Sequence, residues 1–592
     1  MAIGARMRKR YPGVLILLLT AVSCGPGAVR DTTDGTGEVR SITLSIVGTN
    51  DVHGRIIEDD GAGGLALFGG YLANLRDARA RDGGAVMLID AGDMWQGTLE
   101  SNIAEGAPVV AAYNALGYAA AAVGNHEFDF GPVGPEVMPK SIDDDPRGAL
   151  KARAGEANFP LLAANLIDEA TGAAVFWPNV KPSVVVAVAG IDVGIIGLTS
   201  RNTLRTTLSA NVLGLRIAGL AETIVAEAAK LRAAGADMII VTAHAGGDCG
   251  SFEDPADLGS CDPDSEIFAV ARALPAQTVD LIIGGHVHKG MAHEVNGIAV
   301  ISSWSGGNFF GRVDFRIAGD GVLGRRILAP TRICRYVDTE SGHCEPAAVA
   351  GKSILASYEG KPVIPDARIA RIIEPAIESA AALKAEKLGP VLETPFTRQP
   401  DPASAIGNLL TDIMLASDPQ ADVAIHNTLG GIRADLPAGE LTYGSVYEMF
   451  PFDNRIVQIA LTGAELRAVV ANQIEGPVRR GNVSGIRVIA NCDDDGLIVS
   501  MIDRTGREIG DDERLLVVSN DFLTTGGDVV FTPIMPAEGF DTGNDGPLMR
   551  DVIVAWMRDR GGTLNADEFI DSENPRWSFP GTAPVECRAS AM

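Results

Sequence analysis

The chain alternates short apolar, β-branched runs with amphipathic stretches from Ile42 onward. Runs such as ITLSIVGTND, AVMLIDAGD, DMIIVTAHAGG and VDLIIGGHVH each end in Asp, His or Gly, and helical patterns such as GLAETIVAEAAKLRAAGA lie between several of them. Strands that alternate with helices predict an α/β sheet, and such sheets collect functional residues at the carboxyl ends of their strands. We therefore expect an α/β fold with a site along one sheet edge.

Two α/β units follow each other along the chain. The first covers residues 41–345, and the second covers residues 391–560. Between them, residues 346–390 contain PDARIARIIEPAIESAAALKAEKLG, which predicts one long amphipathic connecting helix. The tail, residues 561–592, is predicted to be irregular and packed on the domains. A chain of 592 residues exceeds the size of one ordinary core, which agrees with two large domains.

The N-terminus has the pattern of an export signal. A basic MRKR is followed by the apolar GVLILLLTAV, which is too short to span a bilayer as a helix. Because the run ends in TAVSC, residues 1–24 resemble a bacterial lipoprotein signal peptide with Cys24 as the lipid-bearing residue. An ordinary cleaved signal peptide is the alternative, since Ala21 stands where the lipoprotein motif prefers Leu. Residues 25–40 predict a flexible tether, so we expect an exported protein on the periplasmic or cell-surface side of a bacterial membrane, touching it only through the anchor.

The overall charge narrows the choice of partners. The net charge is −27 and the isoelectric point is about 4.7. Such an acidic surface argues against nucleic acid as a partner and against bulk binding to anionic membranes. An anionic small-molecule substrate would need a local positive field, which a metal cluster or a few focused arginines can supply. The sequence carries no signal for an oligomeric state.

The cysteine count fits an oxidising compartment. The chain has seven cysteines, and lipidation of Cys24 would leave six. Two pairs bracket short polar loops, and two cysteines far apart in sequence remain. The expected disulfides are Cys249–Cys261 and Cys334–Cys344, with Cys492 and Cys587 as a candidate long-range pair. Free thiols are the alternative, because an even count is weak evidence.

Five strand ends concentrate the polar residues. They read NDVHG, GDMWQG, GNHEFD, AHAGG and GGHVHKG, and they hold five of the eight histidines of the whole chain. A single D-x-H or H-x-H is more often structural. In this order, however, the set resembles the calcineurin-like metallophosphoesterase pattern. The resemblance implies an N-terminal four-layer α/β/β/α sandwich that holds two divalent metals.

The resemblance also assigns the metal ligands. Imidazole together with carboxylate suits Zn, Mn, Fe or Co, and two such ions about 3.5–4 Å apart need a shared carboxylate. Asp93 is the implied bridging ligand. One metal would be completed by Asp51, His53 and His288, and the other by Asn125, His244 and His286.

The adjacent His126 is implied to act on the substrate instead of on a metal. It would stabilise charge on the phosphate or protonate the leaving oxygen, while Asp129 orients its ring and keeps it cationic. A helix or turn cap is the alternative for Asp129. Glu127 is expected to be structural.

The second unit resembles the C-terminal domain of the 5′-nucleotidase family. The resemblance rests on SAIGNLLTDIM, ADVAIHNTLGGIRADLPAGELTYGSVYEMFPFDN, LTGAELRAVV and SNDFLTTGGD, and with the first unit it covers about residues 42–560. It implies a nucleotide pocket in which Phe452 and Phe522 stack on the base and Asp528 binds ribose. The implied phosphate and base contacts are Arg433, Arg398 and Asn427. Core phenylalanines and a glycine turn are the alternative.

The sequence departs from the family at two points in this pocket. The motif from Asn427 to Arg433 is one residue longer than the family's, and GGD is followed by VVF where the family has Gly and an aromatic residue. The first departure shifts Asn427 relative to Arg433. The second alters the ribose side of the pocket.

Taken together, the resemblance implies hydrolysis of nucleoside 5′-phosphates to nucleoside and phosphate by a dimetal-activated water. UDP-sugars and 2′,3′-cyclic nucleotides are further candidate substrates, and the C-terminal domain is expected to rotate and carry the substrate to the metals. Two alternatives stay open. One is a hydrolase of the same fold that acts on a non-nucleotide substrate, as thiosulfohydrolases do; the other is a non-catalytic surface lipoprotein that binds nucleotides.

Overall fold

The structure is a computed structural model that describes most of the chain. The described residues are 41–318, 321–398, 404–427, 430–475, 480–493, 496–536, 539–540 and 546–579. The predicted signal peptide, the tether with Cys24, and Cys587 lie outside these residues.

Two face-to-face sheets form the centre of the N-terminal domain. The first sheet has seven strands in the spatial order Gly321–Arg332, Phe309–Ala318, Ile42–Thr49, Ala85–Asp90, Tyr118–Ala122, Leu161–Leu162 and Val180–Lys181. The second has six strands in the order Gly290–Val295, Ile298–Ser303, Leu281–Gly284, Met238–His244, Ile191–Thr199 and Ser183–Val188. Central strands of both sheets are parallel, so their carboxyl ends meet at one edge.

Helices cover the outer faces of both sheets, which completes the four predicted layers. They are Leu65–Asp82, Ala107–Leu116 and Gly148–Glu156 on the first sheet, and Leu220–Ala233 and Glu266–Ala273 on the second. Because both faces of each sheet are covered, the central strands are apolar throughout; all seven residues of Met238–His244 are buried. Residues such as Leu44, Ile195 and Ile283 fill the core between the sheets.

A single helix, Ala367–Lys384, connects the domains. Its first turn is capped by Asp366, whose carboxylate accepts hydrogen bonds from two backbone amides. At its end, the Lys384 ammonium lies 3.0 Å from Glu100 of the N-terminal domain and 2.9 Å from Glu448 of the C-terminal domain. At the end of this helix, a single lysine thus forms ion pairs with both domains.

The C-terminal domain is a second α/β unit. Its sheets are, in spatial order, Ile456–Thr462, Arg514–Asn520, Val423–His426 and Asn482–Ser484; Gly439–Thr442, Lys387–Leu392 and Thr563–Leu564; and Gly496–Asp503, Ile486–Asp493 and Trp577–Ser578. The longer helices are Ala405–Ser417, Tyr443–Met449, Gly463–Glu475 and Met549–Arg560. Two of the short strands, Thr563–Leu564 and Trp577–Ser578, lie after residue 560, and their pairing holds this last segment on the C-terminal domain.

Smaller elements complete the fold. The short strands are Leu166–Asp168, Leu215–Ile217, Tyr336–Asp338, Cys344–Glu345, Ser353–Leu355, Ser357–Tyr358 and Lys361–Pro362, and the short helices are Leu99–Asn102, Ser209–Val212 and Asp521–Thr524. Disulfides join Cys249 to Cys261 and Cys334 to Cys344, as predicted. Within the described ranges, no helix combines the length and apolarity needed to cross a bilayer.

Candidate dimetal active site

The predicted metal ligands come together at the carboxyl ends of both sheets. Strands of the first sheet deliver Asp51, His53, Asp93 and Asn125, and strands of the second deliver His244, His286 and His288. Five of the seven are buried, and His286 and His288 are half-buried. The edge where parallel strands end is thus lined with nitrogen and oxygen donors.

These side chains form two clusters of donor atoms, called the two nests, that share one carboxylate. In the first, the Nε2 atom of His53 lies 2.9 Å from Nε2 of His288, which lies 3.4 Å from Oδ1 of Asp51. In the second, Nε2 of His244 lies 3.1 Å from Oδ2 of Asp93 and 3.2 Å from Nδ1 of His286.

Asn125 and Asp93 extend these contacts. The amide oxygen of Asn125 lies 3.0 Å from Nε2 of His244, and Oδ2 of Asp93 lies 4.0 Å from Nε2 of His53. Asp93 therefore faces both nests. Ring nitrogens that crowd carboxylate and amide oxygens in this way are the donor set that a divalent transition ion prefers, so the residues fit the predicted metals.

Backbone carbonyls set the direction of two imidazoles. The Nδ1 atom of His53 lies 3.0 Å from the carbonyl oxygen of Gln96, and Nδ1 of His244 lies 2.8 Å from that of Ala91. A ring whose Nδ1–H donates to a carbonyl leaves Nε2 free as a ligand. Both Nε2 atoms accordingly face the nests.

The backbone itself is unusual at these positions. Five of the candidate ligands have a positive φ: Asp51, His53, Asp93, His286 and His288, at 50°, 51°, 56°, 77° and 57°. This left-handed conformation costs a non-glycine residue roughly 1–3 kcal/mol, and it persists where the surroundings impose it. Its concentration at one sheet edge is typical of a functional site.

Glu127 holds two of the site loops together. Its buried carboxylate accepts hydrogen bonds from the backbone amides of Asp93, Met94 and Gly124, at 2.9, 2.8 and 2.7 Å. In return, the amide of His126 donates to Oδ1 of Asp93 at 2.9 Å, which leaves Oδ2 facing the nests. The sequence predicted a structural residue here, and the structure shows which loops it joins.

His126 and Asp129 form a hydrogen-bonded pair. Nδ1 of His126 lies 2.6 Å from Oδ2 of Asp129, whose other oxygen accepts a bond from the Thr207 hydroxyl at 2.7 Å. Burial alone would lower the pKa of His126, but the Asp129 and Asp93 carboxylates outweigh it and raise the pKa above its ordinary value. His126 also forms a third group with His53 and Asp93, whose donor atoms all lie within 4.8 Å of one another.

A cavity of about 900 Å³ joins this site to the C-terminal domain. On one side it is lined by His126 and by five of the seven candidate ligands: His53, Asp93, Asn125, His286 and His288. All six residues predicted to bind the substrate line its other side: Arg398, Asn427, Arg433, Phe452, Phe522 and Asp528. The structure thus brings the two predicted sets of residues into one space.

Contacts across the domain boundary are direct. An Nη atom of Arg433 lies 3.2 Å from Nε2 of His53. The ring of Phe452 stacks near that of His126, with centroids 5.9 Å apart and planes inclined by 25°. In addition, the Gln96 side chain donates to the Pro451 carbonyl at 3.1 Å. The C-terminal pocket therefore opens onto the metal nests.

Comparisons with known proteins agree with this two-part site. Residues 44–290 match the calcineurin-like phosphoesterase family, and residues 383–535 match the 5′-nucleotidase C-terminal domain. The chain is 26% identical over 519 residues to Protein UshA of Yersinia enterocolitica, and 25% identical over 520 residues to a 5′-nucleotidase of Vibrio cholerae; each alignment covers 83% of this chain and 86% of the relative. The chain therefore combines a calcineurin-like phosphoesterase domain with a 5′-nucleotidase C-terminal domain.

A solved structure shows the same fold. The 5′-nucleotidase precursor from Thermus thermophilus superimposes with a TM-score of 0.67 at 24% identity, covering 91% of this chain and 99% of that one. The predicted family, the α/β fold class and the assignment as a phosphoric monoester hydrolase are confirmed. The phosphoesterase fold implies divalent metal ions, and the two nests are the residues that can hold them.

The Asn427 side chain is hydrogen-bonded to Asp528. The Nδ2 atom of Asn427 donates to Oδ2 of Asp528 at 2.7 Å, while Oδ1 of Asn427 is buried and has no hydrogen-bond partner among the residues that the structure describes. Burial raises the pKa of the Asp528 carboxyl, although the bond from Asn427 opposes the shift. The extra residue of the motif falls at positions 428–429, which lie outside the described ranges.

Arg398 lines the cavity and also contacts Arg433, the other arginine predicted to bind phosphate. Its Nη1 donates to the Arg433 carbonyl at 2.7 Å, and its Nε lies 3.2 Å from Asp435. Sequence reasoning did not single out this support, nor the roles of Gln96 and Thr207. Gln96 lies three residues after Asp93 in the GDMWQG motif, and this closeness in sequence is the signal that could have placed it at the site.

Proposed function

We propose that this protein hydrolyses nucleoside 5′-monophosphates to nucleoside and inorganic phosphate. The observation that carries the proposal is the single cavity in which two metal nests face a pocket with two phenylalanines. A base held between aromatic rings gains ~1–3 kcal/mol per stacking contact. UDP-sugars and 2′,3′-cyclic nucleotides are proposed as further substrates, because the cavity has room beyond a mononucleotide.

The nests would each hold one ion, Zn, Mn, Fe or Co. Asp93 would be shared, with Asp51, His53 and His288 on one side and Asn125, His244 and His286 on the other. When bound, the two ions would lower the pKa of the attacking water and neutralise the phosphate. This local positive charge also offsets the acidity of the protein as a whole.

The remaining residues would bind substrate and move a proton. Arg433 would hold the phosphate beside His53, since its guanidinium already reaches that ring. His126, kept cationic by Asp129, would stabilise the developing charge or protonate the leaving 5′-oxygen. Phe452 and Phe522 would stack on the base, Asp528 would accept bonds from ribose, and Asn427 would contact the base or phosphate with its unpaired oxygen.

We also propose that the protein is exported and anchored by lipid at Cys24. The basic and apolar segments that precede this cysteine support the anchor, and two disulfides agree with an oxidising compartment. The C-terminal domain would rotate about the end of the helix Ala367–Lys384 to admit substrate.

Phosphate release from a panel of 5′-nucleotides, with and without chelator, tests the proposal. Metal-dependent turnover of at least one nucleotide is expected, and its absence for all of them would overturn the nucleotidase function. A thiosulfohydrolase-like enzyme is distinguished by the pocket: Phe452→Ala and Phe522→Ala would leave its turnover unchanged. A non-catalytic binder would show equal nucleotide affinity in the wild type and in His126→Ala, with no turnover in either.

A further inference from the structure

An exposed apolar tip lies at the edge of the first sheet, on the hairpin formed by strands Phe309–Ala318 and Gly321–Arg332. The strands pair as far as Ala318 and Gly321, so the first residues of the second strand lie at this end of the hairpin. Val322 and Leu323 come next along the chain and are 41% and 52% exposed. Two adjacent aliphatic side chains are thus presented to the surroundings at the end of a rigid hairpin.

Positive charge flanks this tip. Arg316 and Arg326 are exposed, and no carboxylate among the described residues lies within 4.0 Å of either guanidinium. Asp314, which lies opposite Arg326, accepts a bidentate pair of hydrogen bonds from Arg312 instead. Between the two arginines, the sequence holds one acidic residue, Asp320. On a chain of net charge −27, two such arginines beside apolar side chains are a local exception.

The same hairpin stands beside the start of the folded chain. Ile42, at the beginning of the first strand, pairs with Ile317 of the hairpin. Ile42 lies eighteen positions after Cys24 in the sequence. A flexible chain of that length has a root-mean-square span of about 23 Å. A lipid on Cys24 would therefore keep the hairpin close to the bilayer.

The active site lies at the opposite end of the same strand. Strand Ile42–Thr49 runs from the hairpin to the loop that carries Asp51 and His53. Eight residues of strand span about 26 Å. A membrane at the hairpin would thus leave the cavity and the C-terminal domain facing the aqueous phase.

We propose that the basic hairpin, defined by Arg316, Val322, Leu323 and Arg326, docks on an anionic membrane surface beside the lipid anchor. Both arginines would lie at the level of the lipid phosphates, and both aliphatic side chains would enter the interface. A short tether gives an effective concentration in the ~mM range, so a weak contact is enough to be occupied. The inference rests on the proposed anchor at Cys24 and is independent of the substrate.

A second hairpin provides a matched control. Strands Ile486–Asp493 and Gly496–Asp503 of the C-terminal domain also form a long antiparallel pair, and Ile498 near its tip is 46% exposed. The sequence that links the two strands is acidic and reads CDDDG. Exposure is matched between the hairpins, whereas the sign of the flanking charge is reversed.

The test uses the full lipid-bearing protein, extracted from membranes and reconstituted into phosphatidylglycerol vesicles with brominated acyl chains. The added tryptophan of Leu323→Trp should be quenched about twofold relative to unbrominated vesicles, and that of Ile498→Trp should not. Replacing phosphatidylglycerol by phosphatidylcholine, or adding Arg316→Glu and Arg326→Glu, should remove the quenching. Phosphate release is recorded on each sample and should stay at the wild-type level.

Each other outcome would overturn the proposal. If Leu323→Trp sediments with the vesicles and is not quenched, the tether alone holds the protein and the hairpin does not dock. Equal quenching of Leu323→Trp and Ile498→Trp would mean that no particular face is preferred. If the wild type does not sediment with vesicles, the anchor is wrong and this inference falls with it, while phosphate release reports separately on the nucleotidase function.

Discussion

The two sides of the shared cavity are built differently. On the metal side, His53 and His244 are each fixed by a backbone carbonyl, and Asp93 is fixed by the amide of His126. On the nucleotide side, Asn427 and Asp528 bond mainly to each other, and one oxygen of Asn427 is left without a partner in the described structure. The difference indicates that the chemistry is pre-organised, whereas recognition of the base and sugar is left to groups that exchange partners when substrate binds.

Loss of the shared carboxylate should have the largest effect. Asp93→Ala removes the one side chain that faces both nests, so both metals should be lost and kcat/KM should fall by more than ~10⁴-fold. Metal analysis and phosphate release check this result. Asp143→Ala, which removes an exposed carboxylate from a surface loop, should change neither, and retention of two metals in Asp93→Ala would contradict the shared-ligand role.

Removal of the His126 ring should separate catalysis from metal binding. His126→Ala should keep both metals and lower kcat by about 10²–10⁴-fold, the usual contribution of a positioned proton donor. Its neighbour offers the contrast, because Asn125→Ala should weaken one metal. If His126→Ala instead empties a metal site, His126 is a ligand and the proposed division of labour is wrong.

Substitution of Glu127 tests how strongly metal affinity depends on the loops that Glu127 holds together. In Glu127→Gln, the amide group cannot accept all three backbone hydrogen bonds, so the loop that carries Asp93 should loosen. Metal affinity should fall about 10–100-fold, as it does when outer contacts of a metal site are removed. Titration of the apoprotein with Mn²⁺ measures this directly, and Glu374→Gln on the exposed face of the linker helix is the control. Unchanged affinity would show that the three bonds do not position Asp93.

The nucleotide side should respond most weakly and in a different quantity. Phe452→Ala and Phe522→Ala should each raise KM for a nucleoside monophosphate by about 5–100-fold, which corresponds to one stacking contact. Metal content should stay at the wild-type level. Phe176→Ala, at an exposed phenylalanine that is not part of the cavity lining, should leave KM unchanged. A loss of metal in either pocket variant would show that the two sides are less separate than the structure suggests.

The sequence could place the candidate metal ligands at one sheet edge because its signals are local. Each ligand follows an apolar strand, and parallel strands end at a common edge, so Asp51, His244 and His286 could be brought together without a structure. The three amides that Glu127 binds belong to two loops 30 residues apart, and no periodic pattern records such loop geometry. For the same reason Glu127 could be named but its contacts could not.

The nucleotide side was predicted less completely because its contacts depend on the tertiary arrangement. Arg398 could be proposed as a phosphate ligand from its residue type, but its bond to the Arg433 carbonyl follows from the path of the chain between them. The contact between Arg433 and His53 joins residues 380 positions apart. Only the packing of one domain on the other reveals it.

The single connecting helix has a consequence for how such proteins can diversify. Every candidate metal ligand precedes Ala367, and every candidate nucleotide contact follows Lys384. A genetic crossover within the linker would therefore exchange substrate preference as one inherited block and leave the hydrolytic centre untouched. Compatibility of the new block would depend on a small set of boundary contacts, among them Lys384 with Glu448 and Arg433 with His53.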